Sequence, residues 1–176
     1  MQAPAGWGEQ MWGWMRRQRA LRGLFAAMAI WAMALSMATP AQAANADYEQ
    51  RVVDLVNTVR AQNGLPPVTL SAQLTASARA YSDNMGTANF FGHVGPDGSD
   101  LISRNEAAGY TDWVDLAENL SAGQPDPESV VKAWMASPTH RANILSPRVN
   151  EIGVGYSFFP KSTYGHYWTQ EFGARP

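Results

Sequence analysis

The sequence predicts an α+β fold, with helices packed on an antiparallel sheet, and three observations carry that prediction. Apolar residues recur at helical spacing between Tyr48 and Met85. The period then changes to two at Ile152, Val154, Tyr156 and Phe158. A turn-like Pro160-Lys161-Ser162-Thr163 separates that run from a second aromatic one, Tyr164 to Phe172, which makes the pair a hairpin. Helices first and strands last suits segregated layers better than alternating βα units.

The elements follow in order. Tyr48, Val52, Leu55, Val56 and Val59 form one stripe of an amphipathic helix that stops at Asn63-Gly64, ahead of Pro66-Pro67. Ser71 caps a second helix whose stripe is Leu74, Ala78, Tyr81 and Met85, ending before Gly86. Residues 87–99, rich in Gly, Pro, Asp and Asn around Phe90-Phe91-Gly92-His93, read as a long surface loop, where sites tend to sit. A short helix from Asp100 closes at Ala108-Gly109. Asp126-Pro127-Glu128 starts another, carrying Val130, Val131, Trp134 and Met135, and Pro138 is expected to interrupt it.

Ahead of these elements, Arg16, Arg17, Arg19 and Arg22 precede an apolar stretch from Leu24 to Met37 and then Thr39-Pro40-Ala41-Gln42-Ala43. Charged, apolar and small-residue segments in that order describe a secretory signal, so residues 1–43 are expected to be a removable signal peptide. Residues 44–176 are then a single domain, with Met15 the expected start of translation. The apolar stretch is short against about 30 Å of hydrocarbon, which favours cleavage over a retained anchor, the alternative reading. General secretion, to the periplasm or the outside, is expected.

The part after Ala43 holds nine basic and fourteen acidic residues, a net charge of −5, which suits no polyanion and argues against nucleic acid as a partner. The chain has no cysteine. That removes disulfides, thiolate metal sites, a cysteine nucleophile and a lipidated N-terminal cysteine, so no stable membrane anchor is expected after cleavage. An exported domain without disulfides is held by its core, for which three Trp, six Tyr and five Phe after Ala43 are on hand.

The chain's three histidines, His93, His140 and His166, fall in the loop, the helix break and the hairpin. Taken singly, each fits an ordinary surface or hydrogen-bonded role. The phrases around them are more specific. They run Phe91-Gly92-His93, Glu118-Asn119-Leu120, Trp134 to Leu145 (WMASPTHRANIL), Glu151-Ile152-Gly153-Val154-Gly155, and Tyr167-Trp168-Thr169-Gln170-Glu171-Phe172-Gly173. In that order, from about Tyr48 to Gly173, the chain resembles the CAP superfamily, the SCP-domain group of cysteine-rich secretory, antigen 5 and pathogenesis-related proteins, in its cysteine-free bacterial branch.

The resemblance implies a three-layer α-β-α sandwich with a small antiparallel sheet. It also implies a central cleft that in many members carries two histidines and two glutamates and, in some, a divalent metal. His93 matches the first histidine and Glu118 the first glutamate. The other two positions depart: Ser137 stands at the second glutamate and Tyr167 at the second histidine. His166 is adjacent, but strand alternation turns it away from Tyr167, with Trp168 and Gln170. His140, one helical turn beyond Ser137, is the better substitute.

His93, His140 and Glu118 are therefore the candidate ligands for a divalent metal such as zinc, with an open fourth position. The competing reading has Glu118 accepting hydrogen bonds from the two imidazoles with no ion. Tyr167 and Glu171 complete the cleft candidates, surface exposure being the alternative for Glu171. Asn119 and Asn143 are expected to satisfy buried backbone.

Three functions compete. The leading one is a secreted binding or interaction domain that meets an envelope or extracellular partner through a His/Glu cleft. The second is a divalent-metal-assisted hydrolase, and whether the protein is an enzyme stays open. The third is lipid or sterol binding, with Phe90-Phe91 and Phe158-Phe159 edging a groove or, more cheaply, filling the core.

Overall fold

A computed structural model describes residues 40–176. The expected signal peptide and the Met15 start lie outside the described residues, save for the last residues before Ala44.

Helix α1 spans Pro40–Gln62 and so begins ahead of its apolar stripe. A two-residue strand, β1 (Thr69–Leu70), follows, then α2 (Ala72–Thr87), α3 (Leu101–Ala107), β2 (Asp115–Ala122), α4 (Pro127–Ala136), α5 (Pro138–Ile144), β3 (Glu151–Phe158) and β4 (His166–Ala174). The caps are the ones the side chains invite. Ser71 accepts from Leu74 N, Asp126 from Ser129 N, and Asp100 forms a reciprocal capping box with Ser103. Pro138 does interrupt α4, but it also opens α5 at its first position, where the missing N–H costs no hydrogen bond.

Helices first and strands last is corrected by β1 and β2. β2 reads Asp-Leu-Ala-Glu-Asn-Leu-Ser-Ala, with no β-branched or aromatic residue, and it buries polar side chains on both faces. No alternation of apolar and polar residues marks it.

The sheet order is β1-β3-β4-β2, antiparallel except for the β1–β3 pair. One face receives α2. Gly153 and Gly155 in β3 lie so close to it that a Cβ on either would fall within the backbone of α2, at Leu74–Thr75 and Ala78–Arg79. The other face holds the main core: Val52, Val53 and Val56 of α1, Val130, Val131 and Trp134 of α4, and Ile144 of α5 pack on Ile152, Val154, Trp168 and Phe172. Helices on both faces of one sheet make the three-layer α-β-α sandwich.

Two buried charges tie elements together. Arg60 is fully buried and donates to four carbonyls, those of Pro66, Ile144, Ser146 and Val149. Glu49 of α1 pairs with Arg79 of α2 and accepts from Tyr156 N. Among the described residues no helix is long and apolar enough to cross a membrane.

Candidate functional site

The site is built on β2. Among the described strands this one pairs only with β4, so its outer backbone needs other partners. α4 and α5 supply them: Trp134 Nε1 donates to Leu120 O at 3.0 Å, and Asn143 Nδ2 to Glu118 O at 3.2 Å. Asn119 links Gln170, Asn143 and the carbonyl of His140. Both asparagines thus serve the backbone, as expected, and they bring α5 with His140 against β2.

Because side chains alternate along a strand, Asn119 faces α5 and Glu118 faces the opposite side, toward α3 and the loop of residues 88–100. Glu118 Oε1 lies 2.6 Å from His93 Nδ1 and Oε2 lies 2.5 Å from Arg104 Nη2. The glutamate side chain is 3% exposed, Arg104 9% and His93 61%. A buried ion pair therefore sits beneath an exposed imidazole. A carboxylate can only accept, so Nδ1 carries a proton and donates, and in the neutral ring Nε2 is left as an acceptor.

Arg104 is held on several sides. Its Nη1 donates to the carbonyls of His93 (3.2 Å) and Ser99 (3.1 Å), and its guanidinium carbon lies 3.4 Å from the centre of the Tyr81 ring. Tyr81 in turn donates from its hydroxyl to Gly92 O at 2.6 Å. The backbone carbonyls of His93 and of Gly92 before it are thus pinned by one arginine and one tyrosine. Ser77, Tyr81 and Arg104 also line a pocket of about 510 Å³ between α2 and α3, with Asn84, Asp97 and Ser99 among its other walls.

Glu171 lies opposite Glu118 in the β2–β4 register, on the same face. It is fully buried, not exposed, and receives one hydrogen bond, from Ser77 Oγ at 3.0 Å. Burial, then the neighbouring charge of Glu118, pushes its carboxyl up to about 8. It is therefore a neutral acid beside an ion-paired one.

The expected residues come together in part. His93 and Glu118 bond directly. His140 is half-buried, and burial followed by the field of His93 holds it below the usual histidine range. Tyr167 is wholly buried among Tyr81, Met85 and Leu120. Its neighbour His166 points the other way, donating or accepting at the Tyr156 hydroxyl and packing on Phe158. Among the described residues the Ser137 hydroxyl has only that of Thr139 within reach, at 3.5 Å.

The candidate trio does not fit a shared divalent cation. Both oxygens of Glu118 are engaged, one by a guanidinium. Among the described residues no three His, Asp or Glu side chains are arranged to hold a metal ion. Arg104 is the member that sequence reasoning passed over, since nothing in a short capped helix marks an arginine as buried.

Comparisons with known proteins agree with the fold. The model of the cysteine-rich secretory protein (CAP) family matches residues 53–172. YkwD of Bacillus subtilis, described as uncharacterized, is 40% identical over 134 residues, which is 76% of this chain and 50% of YkwD. The chain spans half or less of the length of the curated relatives it matches. Among solved structures, an extracellular protein containing an SCP domain from Bacillus anthracis superposes with a TM-score of 0.68 at 26% identity, over 80% of this chain and 45% of that one. An outer surface protein of Borrelia burgdorferi shares the fold, with a TM-score of 0.64 at 20% identity, over 72% of this chain and 92% of its own.

Proposed function

Because the chain belongs to the cysteine-rich secretory protein family, we propose that it is an exported binding domain that meets an envelope or extracellular partner through the His93–Glu118 cleft. The observation that carries this reading is the exposed imidazole on a buried, ion-paired carboxylate: His93 is held in place by Glu118 yet offers its outer nitrogen to a partner. Such an arrangement is prepared for recognition, because little side-chain freedom remains to be lost on binding. The extracellular description of the Bacillus anthracis neighbour supports export.

Two measurements test it. The full chain, expressed in bacteria and fractionated, should appear outside the cytoplasm with an N-terminus near Ala44; retention in the cytoplasm uncleaved would sink the export half. The exported protein should co-sediment with isolated cell envelope, and His93→Ala should lower the bound fraction by roughly tenfold or more, as for a central contact, with an unchanged circular dichroism spectrum. Equal binding by the variant would remove the cleft from the reading.

One observation favours lipid binding as a second reading. Phe91 and Tyr164 are each about half exposed and lie 5.8 Å apart, beside the loop that carries His93. Phe90 and Phe159 belong to the core instead. Lipid that co-purifies in a native mass spectrum, and is lost in Phe91→Ser, would support this reading; a spectrum free of lipid after incubation with palmitate would end it.

A further inference from the structure

The resemblance to the family implies, for some members, a divalent ion at the cleft carboxylate, and the structure here puts a side chain there. We infer that Arg104 is the fixed cation of this cleft: its guanidinium occupies the face of Glu118 that a metal ion would need, and it organises the His93 loop in the way an ion would. The inference deepens the reading of the cleft as the binding site and rests on it.

Four contacts carry the inference. Nη2 donates to Glu118 Oε2 at 2.5 Å, a close charge-assisted hydrogen bond. Nη1 gathers the carbonyls of His93 and Ser99, the kind of backbone oxygens a hard cation also collects. The ring of Tyr81 lies under the guanidinium at 3.4 Å, a stacked cation–π contact that suits a planar cation. The side chain is nine-tenths buried, so the positive charge is part of the interior rather than a surface group resting near the site.

The donor set changes in the same direction. Where the family has a second glutamate and a second histidine, this chain has Ser137 and Tyr167, and the hydroxyl of Tyr167 is buried without a partner among the described residues. Neutral hydroxyls contribute little to a divalent site, while a covalently attached cation needs only one carboxylate for balance. Glu171, the other carboxyl on this face, lies opposite Glu118 with a single bond from Ser77. One arginine and one ionised glutamate thus balance the charge of the cleft without an ion.

Arg104 is accordingly a positioning residue, acting on His93 through Glu118 and through the loop carbonyls. A purely structural arginine would only stabilise the fold. A stand-in for a metal also blocks metal uptake, and that difference can be measured.

Zinc chloride is the probe, added to the exported full chain during calorimetry and while following the His93 ring signals by NMR. The wild type is expected to show no stoichiometric uptake at the cleft and no shift of its melting temperature between zinc and EDTA. Arg104→Gln, which removes the charge and frees Glu118, should bind zinc at least about tenfold more tightly than the wild type, a gain of about 1.4 kcal/mol. His93→Ala added to Arg104→Gln should abolish that gain.

One-to-one zinc binding by the wild type that His93→Ala removes would overturn the inference, and this needs no variant at position 104 to fold. An Arg104→Gln protein that is folded and binds zinc no better than the wild type would overturn it too. Failure of the envelope-binding experiment leaves these zinc results standing, so the two readings fail separately.

Discussion

Glu118 and Glu171 face each other across β2 and β4 in direct register, and the fold treats the two carboxyls oppositely. Glu118 is ion-paired to Arg104 and bonded to His93, whereas Glu171 has, among the described residues, one serine hydroxyl and no cation in contact. Like charges directly opposite in a sheet repel. The sheet avoids that repulsion by keeping Glu171 protonated.

Glu171 therefore gives the protein a specific pH dependence. Its folded value of about 8 lies above the unfolded value, near 4.5, so the folded state binds the proton more tightly. The stabilisation is complete below the unfolded value and is lost as pH rises through the folded one, at about 1.4 kcal/mol per pH unit. Glu171→Gln, which mimics the protonated acid, lacks that slope. Urea unfolding from pH 5 to 9 should show the variant gaining on the wild type up to about pH 8 and running parallel above it; curves parallel throughout would mean that Glu171 does not titrate in this range.

Arg60 should be the most costly buried cation to remove. Its guanidinium satisfies four carbonyls between the end of α1 and the segment before β3, with no carboxylate in the set. Arg60→Ala leaves those carbonyls buried and unpaired, for a loss of about 3–5 kcal/mol in urea unfolding. Arg60→Lys, which cannot fork to several acceptors, should recover only part of it. A loss under about 1 kcal/mol for the alanine variant would show that water replaces the arginine.

Gly155, like Gly153, marks a close approach of α2 to the sheet. Any Cβ there meets the backbone of Ala78 and Arg79, which cannot rotate out of the way. Gly155→Ala should cost about 3 kcal/mol, at the upper end for overpacking, and lower the melting temperature accordingly. Stability within about 0.5 kcal/mol of the wild type, the range of a neutral surface change, would contradict so tight a contact.

Asn143 closes the free edge of β2. Asn143→Ala removes donors to Glu118 O and Asn119 Oδ1, for an expected loss of about 1–2 kcal/mol. The effect should be local: hydrogen exchange followed by mass spectrometry should quicken in residues 115–122 and leave β3 unchanged. Uniform quickening over the whole domain would point to a global role instead.

What the sequence determined by itself was local. The stripe of α1, the caps at Ser71, Asp100 and Asp126, and the hairpin of β3 and β4 each depend on residues within a turn or two of one another, so their spacing is enough to place them. The outward turn of His166 relative to Tyr167 follows from strand alternation in the same way. The bond between His93 and Glu118 was half legible, through a family phrase at each end.

Only the tertiary structure decided the rest. β2 has no strand signature of its own and exists because β4 on one side and Asn143 and Trp134 on the other satisfy its backbone. Arg104 became the partner of Glu118 because α3 is set down over that face of the sheet, and Glu171 became a buried neutral acid because α2 covers it with Ser77. Charge, burial and hydrogen bonding at this site come from groups far apart in the chain. Their energies are set by which surfaces meet, and no local spacing records that.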